Sequence, residues 1–129
     1  MDRQNLHILY AEDEISNREL LAIKLQRAGF DITGVRDGEL AWQTYQQRHY
    51  DLVILDHYMP KMDGLDVAMR IREVNQDIPI IGITSNDGLI KTLQAAGFNA
   101  VLIKPIRGTA IVDLIRDLLH IPAPSQPSP

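Results

Sequence analysis

A chain of 129 residues with 45% hydrophobic and 23% charged side chains has the composition of one ordinary globular domain, which excludes a disordered or collagen-like chain. No apolar run approaches the roughly 18 residues of a membrane span, no signal peptide marks the start, and zero cysteines exclude a disulfide framework, a thiolate metal site and a cysteine nucleophile; a cytoplasmic location is the expectation. Thirteen basic against 17 acidic side chains give a net charge of −4, and without a basic run this argues against direct nucleic-acid binding.

In chain order, the first apolar run, Leu6 to Ala11, predicts a strand. Leu21, Leu25 and Ala28, with Leu20 and Ile23 beside them, then predict an amphipathic helix stopped by Gly29. The run Ile32 to Val35 is shorter and more polar, as an edge strand is. A helix is expected over Glu39 to Arg48, with Trp42 and Tyr45 as packing residues. Strands at Leu52–Leu55, Ile80–Ile83 and Ala100–Ile103 alternate with helices at Leu65–Val74, Leu89–Ala96 and the stripe Ile111, Leu114, Ile115, Leu118, Leu119. Continuous short apolar runs suit strands buried on both faces. Each gap is long enough for a crossover helix, so the alternation reads as a doubly wound α/β domain over residues 1–121. Residues 122–129, with four prolines, form a Pro-rich tail or the start of a linker.

In open α/β sheets, ligands bind beyond the carboxyl ends of the strands. Beyond the first run stand Glu12, Asp13 and Glu14, beyond the second strong one Asp56, beyond the next Thr84, and beyond the last Lys104-Pro105. In a parallel sheet all of these share one edge. Clustered carboxylates repel unless a cation intervenes, and a few hard oxygen donors with room for water suit Mg²⁺. A carboxylate can attack a phosphoryl group to give an aspartyl-phosphate, a transfer governed by positioning and charge. Asp56, alone at a strand end, reads as the nucleophile, Glu12 and Asp13 as metal holders, and Thr84 and Lys104 as donors to phosphoryl oxygens.

Taken singly, each residue has a plainer explanation. An Asp after a strand is most often a cap or turn residue, Thr84 alone would be another, and Lys104 alone a solvated charge. Their coincidence at consecutive strand ends is what favours a site. His57 next to Asp56 should point away from it, since side chains alternate along a strand. His7 reads as a core or partly exposed histidine, and His49 and His120 as surface residues. Met59, Met62 and Met69 read as packing residues.

These residues resemble the receiver domain of bacterial two-component response regulators. The motifs are Tyr-Ala-Glu12-Asp13-Glu14, Leu-Asp56-His-Tyr-Met-Pro60-Lys-Met-Asp63-Gly64, Gly-Ile-Thr84-Ser85 and Ile-Lys104-Pro105, and the resemblance covers about Leu6 to His120. It implies a five-stranded parallel sheet in the flavodoxin-like order 2-1-3-4-5. It implies that Asp56 takes a phosphoryl group from the phosphohistidine of a histidine kinase or phosphotransfer protein. Mg²⁺ would be bound by Asp13, by Glu12 through water, by Asp56 and by the backbone carbonyl of Tyr58. Thr84 would bond the phosphoryl group, Lys104 would pair with it, the Lys104-Pro105 bond would be cis, and Tyr58 and Asn86 would flank the pocket. The output is altered binding of a downstream protein target, with a helical partner docking on the first helix and the fourth-helix face reporting the state.

Two positions depart from the family's pattern. Val101 stands where an aromatic is usual, which motivates an alternative: a phosphorylation-independent interaction module of the same fold. Asn99-Ala100 stands where the DNA-binding subfamily often has acidic residues, so its charged dimer face is not evident and a monomer or weak dimer is expected. A turnover phosphatase is disfavoured, because Tyr58 stands where that chemistry commonly has a second Asp; the expectation is a signalling domain, not a turnover enzyme.

Overall fold

The computed structural model describes residues 6–122; apart from Pro122, the Pro-rich tail lies outside the described residues. Five strands, β1 (His7–Ala11), β2 (Asp31–Val35), β3 (Leu52–Asp56), β4 (Ile80–Thr84) and β5 (Ala100–Ile103), alternate with α1 (Ile15–Arg27), α2 (Gly38–Tyr45), α3 (Gly64–Val74), α4 (Ile90–Ala95) and α5 (Ala110–Leu118). A single 3₁₀ turn, Asp87–Leu89, precedes α4. All pairings are parallel and the order is β2-β1-β3-β4-β5, the doubly wound arrangement. The polar run Asp31–Val35 is an edge strand, as its composition predicts, while β3 and β4 are buried along their whole length.

Side-chain alternation sends successive residues to opposite faces and so creates two cores. Leu9, Val53, Leu55 and Ile80 join Ala41, Val67, Ile71 and Leu93 of α2, α3 and α4. Ile8, Leu52, Ile54 and Ile81 join Leu21, Leu25, Ile111 and Ile115 of α1 and α5. Each fully buried Leu or Ile contributes about 1.5–3 kcal/mol, and Leu25, at 0% exposure, would cost about 2–5 kcal/mol if cut to Ala.

Local chemistry sets the helix ends. Glu14 caps α1 by accepting from the Ser16 amide at 3.0 Å, Asp37 caps α2 through Leu40 at 2.8 Å, and Asp63 caps α3 through Asp66 at 2.9 Å. At the other end of α1, Gly29 takes φ +100° and its amide closes on Gln26, the stop its position predicts.

Three expectations need correction. The second helix starts at Gly38 and ends at Tyr45 rather than spanning Glu39 to Arg48, because Asp37 starts it and the chain then turns to lay Tyr50 on Tyr45, extending a stack that begins with Trp42 (centroids 6.0 and 6.5 Å apart). Leu20 and Ile23 lie beside the α1 stripe in sequence but are 68% and 47% exposed; only Leu21 and Leu25 of that helix face the core. Met69 is 53% exposed rather than packed, whereas Met59 is buried.

Candidate functional site

The parallel register brings the ends of β1, β3, β4 and β5 to one edge of the sheet, and Glu12, Asp56, Thr84 and Lys104 arrive there as expected. Carboxylate oxygens of Glu12, Asp13 and Asp56 all lie within 4.8 Å of one another. Glu12 and Asp56 are buried, at 1% and 3% exposure, while Asp13 is exposed. The Lys104 ammonium reaches into this cluster, 3.1 Å from Asp56 Oδ2 and 3.3 Å from Glu12 Oε1. Thr84 is fully buried, and its hydroxyl oxygen accepts the Asn86 amide at 3.1 Å. The Lys104-Pro105 bond is cis.

The electrostatics follow from the crowding. Burial, then a hydrogen bond to Asp56, push the Glu12 carboxyl above its ordinary range, against the pull of the Glu14 amide and Lys104. Burial draws the Lys104 ammonium down, but the hydrogen bond and charge of Asp56, with the charge of Glu12, outweigh it and leave its pKa raised. On β1, burial followed by the negative charges of Glu12 and Asp56 drives the Tyr10 hydroxyl far above its usual value. Three carboxylates facing a single ammonium hold more negative charge than it neutralises. All are hard oxygen donors, and one carboxylate is open to water, the donor set that suits Mg²⁺.

The structure also locates the residues beside the cluster. Tyr58 is 58% exposed, with its ring edge-on to that of His57 at 4.6 Å. His57 contributes nothing to the carboxylate cluster, and its Nδ1 is buried without a hydrogen-bond partner. His7 is partly exposed, 3.4 Å from Asp31, and His49 is exposed beside Asp51.

Sequence reasoning missed two supports. Arg18 donates to the Glu12 carbonyl at 2.8 Å, its stem lying against Gly34 of β2 where a Cβ would sit 3.3 Å from its Cγ. Lys24 of α1 donates to the Gly108 carbonyl at 2.9 Å and lines, with Leu20, Pro105 and Ile106, a groove of about 590 Å³ that reaches Glu12 and Lys104. Both bonds end on backbone carbonyls, which leave no signature in side-chain pattern.

The strand order, the acidic cluster and the lysine define a doubly wound α/β domain with a polar site at the carboxyl edge of its sheet. Residues 8–116 match the family described as the response regulator receiver domain, and the chain belongs to that family. It is 37% identical over 105 residues to the sensor protein EvgS of Escherichia coli K12, covering 80% of this chain and 9% of EvgS. It is 33% identical over 123 residues to the sensor histidine kinase RcsC of the same strain, covering 93% of this chain and 12% of RcsC. The chain thus spans about a tenth of the length of these sensor proteins. The response regulator TrrA of Thermotoga maritima, solved in complex with Mg²⁺-BeF, superposes with a TM-score of 0.82 at 33% identity, covering 88% of this chain and 98% of that one. The receiver domain of a sensor histidine kinase from Pseudomonas aeruginosa PAO1, solved with a magnesium ion in its active-site cleft, gives 0.83 at 27%, covering 91% and 99%. Among the described residues no helix is long and apolar enough to cross a membrane.

Proposed function

We propose that this receiver domain accepts a phosphoryl group on Asp56 from a phosphohistidine, in a Mg²⁺-dependent reaction, and that the phosphorylated form changes its affinity for a downstream protein. The observation that carries this reading is the approach of three carboxylates within 4.8 Å with Lys104 bridging two of them. In the transfer, an Asp56 carboxylate oxygen bonds to phosphorus as the phosphorus–nitrogen bond of the donor breaks, and its electron pair stays on the imidazole nitrogen. Asp13, Asp56, the Tyr58 carbonyl and, through water, Glu12 would hold Mg²⁺, which when bound would supply positive charge to offset the crowded carboxylates. Lys104 turns from the carboxylates to a phosphoryl oxygen, and Thr84 exchanges its contact with the Asn86 amide for another phosphoryl oxygen.

The donor is a histidine kinase or phosphotransfer protein that presents its histidine on a helix. Ile15, Leu20 and Ile23 leave an apolar patch exposed on α1 (55%, 68% and 47%), and Leu20 also lines the groove leading to Lys104. Such a patch suits the apolar face of a docking helix. Val101 favours a second reading. As a partly buried valine packed on the α2–α4 side core, it supplies no aromatic ring to move with Thr84, which suits an interaction module that works without phosphate. A titration with beryllofluoride and Mg²⁺, followed by amide chemical shifts, separates the two. The phosphoacceptor reading expects saturable shifts at Asp56, Thr84 and Lys104 that require both components; the interaction module expects none.

A further inference from the structure

We infer that Gly38, at the start of α2, is a positioning residue for the loop that follows Asp56. The inference rests on the metal reading above, because that loop includes the Tyr58 carbonyl. Gly38 is buried and packs directly on the backbone of Met62. A Cβ at position 38 would overlap the Met62 carbonyl oxygen, lie 2.6 Å from its carbon and 2.9 Å from the Met62 Cβ. The atoms in the way are backbone, so no rotamer change makes room.

The loop between Asp56 and α3 is closed on itself. The Gly64 amide donates to the His57 carbonyl at 3.0 Å, and the Met62 amide to the Pro60 carbonyl at 2.7 Å. Lys61 between them takes φ +70°, a left-handed conformation that a side chain adopts only when its surroundings hold it there. At the far end, a Cβ on Gly64 would sit 2.5 Å from the Asp56 carbonyl oxygen. The segment from Tyr58 to Asp63 is thus wedged between two side-chain-free contacts, Gly64 on Asp56 and Gly38 on Met62. Displacing Met62 moves a closed turn, not a slack one, and the displacement reaches the Tyr58 carbonyl.

The α2 side of the contact is the stiffer one. Asp37, at 3% exposure, caps the helix through Leu40, and Ala41 one turn on is fully buried. A Cβ at 38 therefore displaces the loop rather than the helix. Groups that orient metal ligands without touching the metal typically change its affinity by about 10- to 100-fold when altered.

The test is calorimetric titration of the unphosphorylated chain with Mg²⁺ alone, comparing wild type, Gly38→Ala and the exposed neighbour Glu39→Ala. The expected result is a loss of about tenfold in affinity for Gly38→Ala, with Glu39→Ala at the wild-type value. Equal affinity in Gly38→Ala and wild type would overturn the inference while leaving the metal reading intact. No Mg²⁺ binding in the wild type would overturn the metal reading and this inference with it. Should Gly38→Ala fail to fold, amide shifts of the wild type during the same titration decide the matter. The Gly38 amide is expected to shift along the saturation curve of Tyr58 and Met62, and a Gly38 amide that stays still while Tyr58 shifts would refute the coupling.

Discussion

The backbone amide of Lys104 donates to the carbonyl of Thr84 at 2.8 Å, so the last residue of β4 is tied to the residue just past β5. This bond continues the β4–β5 ladder one step beyond its Thr84–Ile103 pair. It fixes the root of the lysine side chain whose ammonium bridges Asp56 and Glu12.

Replacing Lys104 by Met would leave Asp56 and Glu12 buried without their cation. The Lys104 side chain is 30% exposed and the carboxylates are almost fully buried, so the cost is discounted below that of a fully buried pair, to about 1–3 kcal/mol at neutral pH without metal. Urea unfolding with EDTA should show the loss, and saturating Mg²⁺ should remove most of it by replacing the missing charge. The raised Lys104 pKa means this stabilisation is complete below the unfolded value of 10.5 and fades only as pH rises through the higher folded value.

Glu12 reverses the usual behaviour of a native carboxylate. Its folded pKa lies above the unfolded value of 4.5, so between the two the folded chain holds a proton that the unfolded chain has released. Raising the pH across that window destabilises the metal-free fold, by at most about 1.4 kcal/mol per pH unit. The stability difference between wild type and Glu12→Gln, measured in EDTA, should therefore shrink or change sign in Gln's favour as pH rises. Mg²⁺ affinity of the wild type should climb over the same range, as the proton and the metal compete for one carboxylate. A difference between the two chains that is flat with pH would contradict the assignment.

At the opposite edge of the sheet, Arg72 donates through Nε and Nη2 to the Gly97 carbonyl, through Nη1 to the Asn75 carbonyl and through Nη2 to Asn99 Oδ1. Asn99 Oδ1 in turn accepts the Ile80 amide at the start of β4. Arg72→Ala should cost about 2–3 kcal/mol. Arg72→Lys should recover little of this, since one ammonium cannot reproduce the guanidinium fork. Mg²⁺ affinity should stay unchanged in both, because the network lies at the edge where the strands begin; a calorimetric change would show coupling across the sheet.

Much of this molecule was legible in its residues, for identifiable reasons. Leu52–Leu55 and Ile80–Ile83 are buried on both faces, as their composition predicts. The equally apolar Ala100–Ile103 is the other edge strand and is only partly buried, so composition alone does not separate inner strands from edges. The polar Ile32–Val35 run does mark its edge. Once parallel strands are established, Asp56, Thr84 and Lys104 must share an edge, and Lys104 does reach Asp56 there. Other features had no local cue. The tertiary stack of Tyr50 on Tyr45 ended α2 early, and the exposure of Leu20 and Ile23 depends on which stripe of α1 meets the sheet. The supports from Arg18, Lys24 and Gly38 act through backbone atoms 6, 84 and 24 positions away, where no periodicity reaches.

The most direct measurement is to incubate the chain with acetyl phosphate and Mg²⁺, trap the acyl phosphate by borohydride reduction, and locate the modified residue by peptide mass spectrometry. One modification at Asp56 is expected, absent without Mg²⁺ and absent in a folded Asp56→Asn variant. Modification at another residue, or undiminished labelling of Asp56→Asn, would contradict the account.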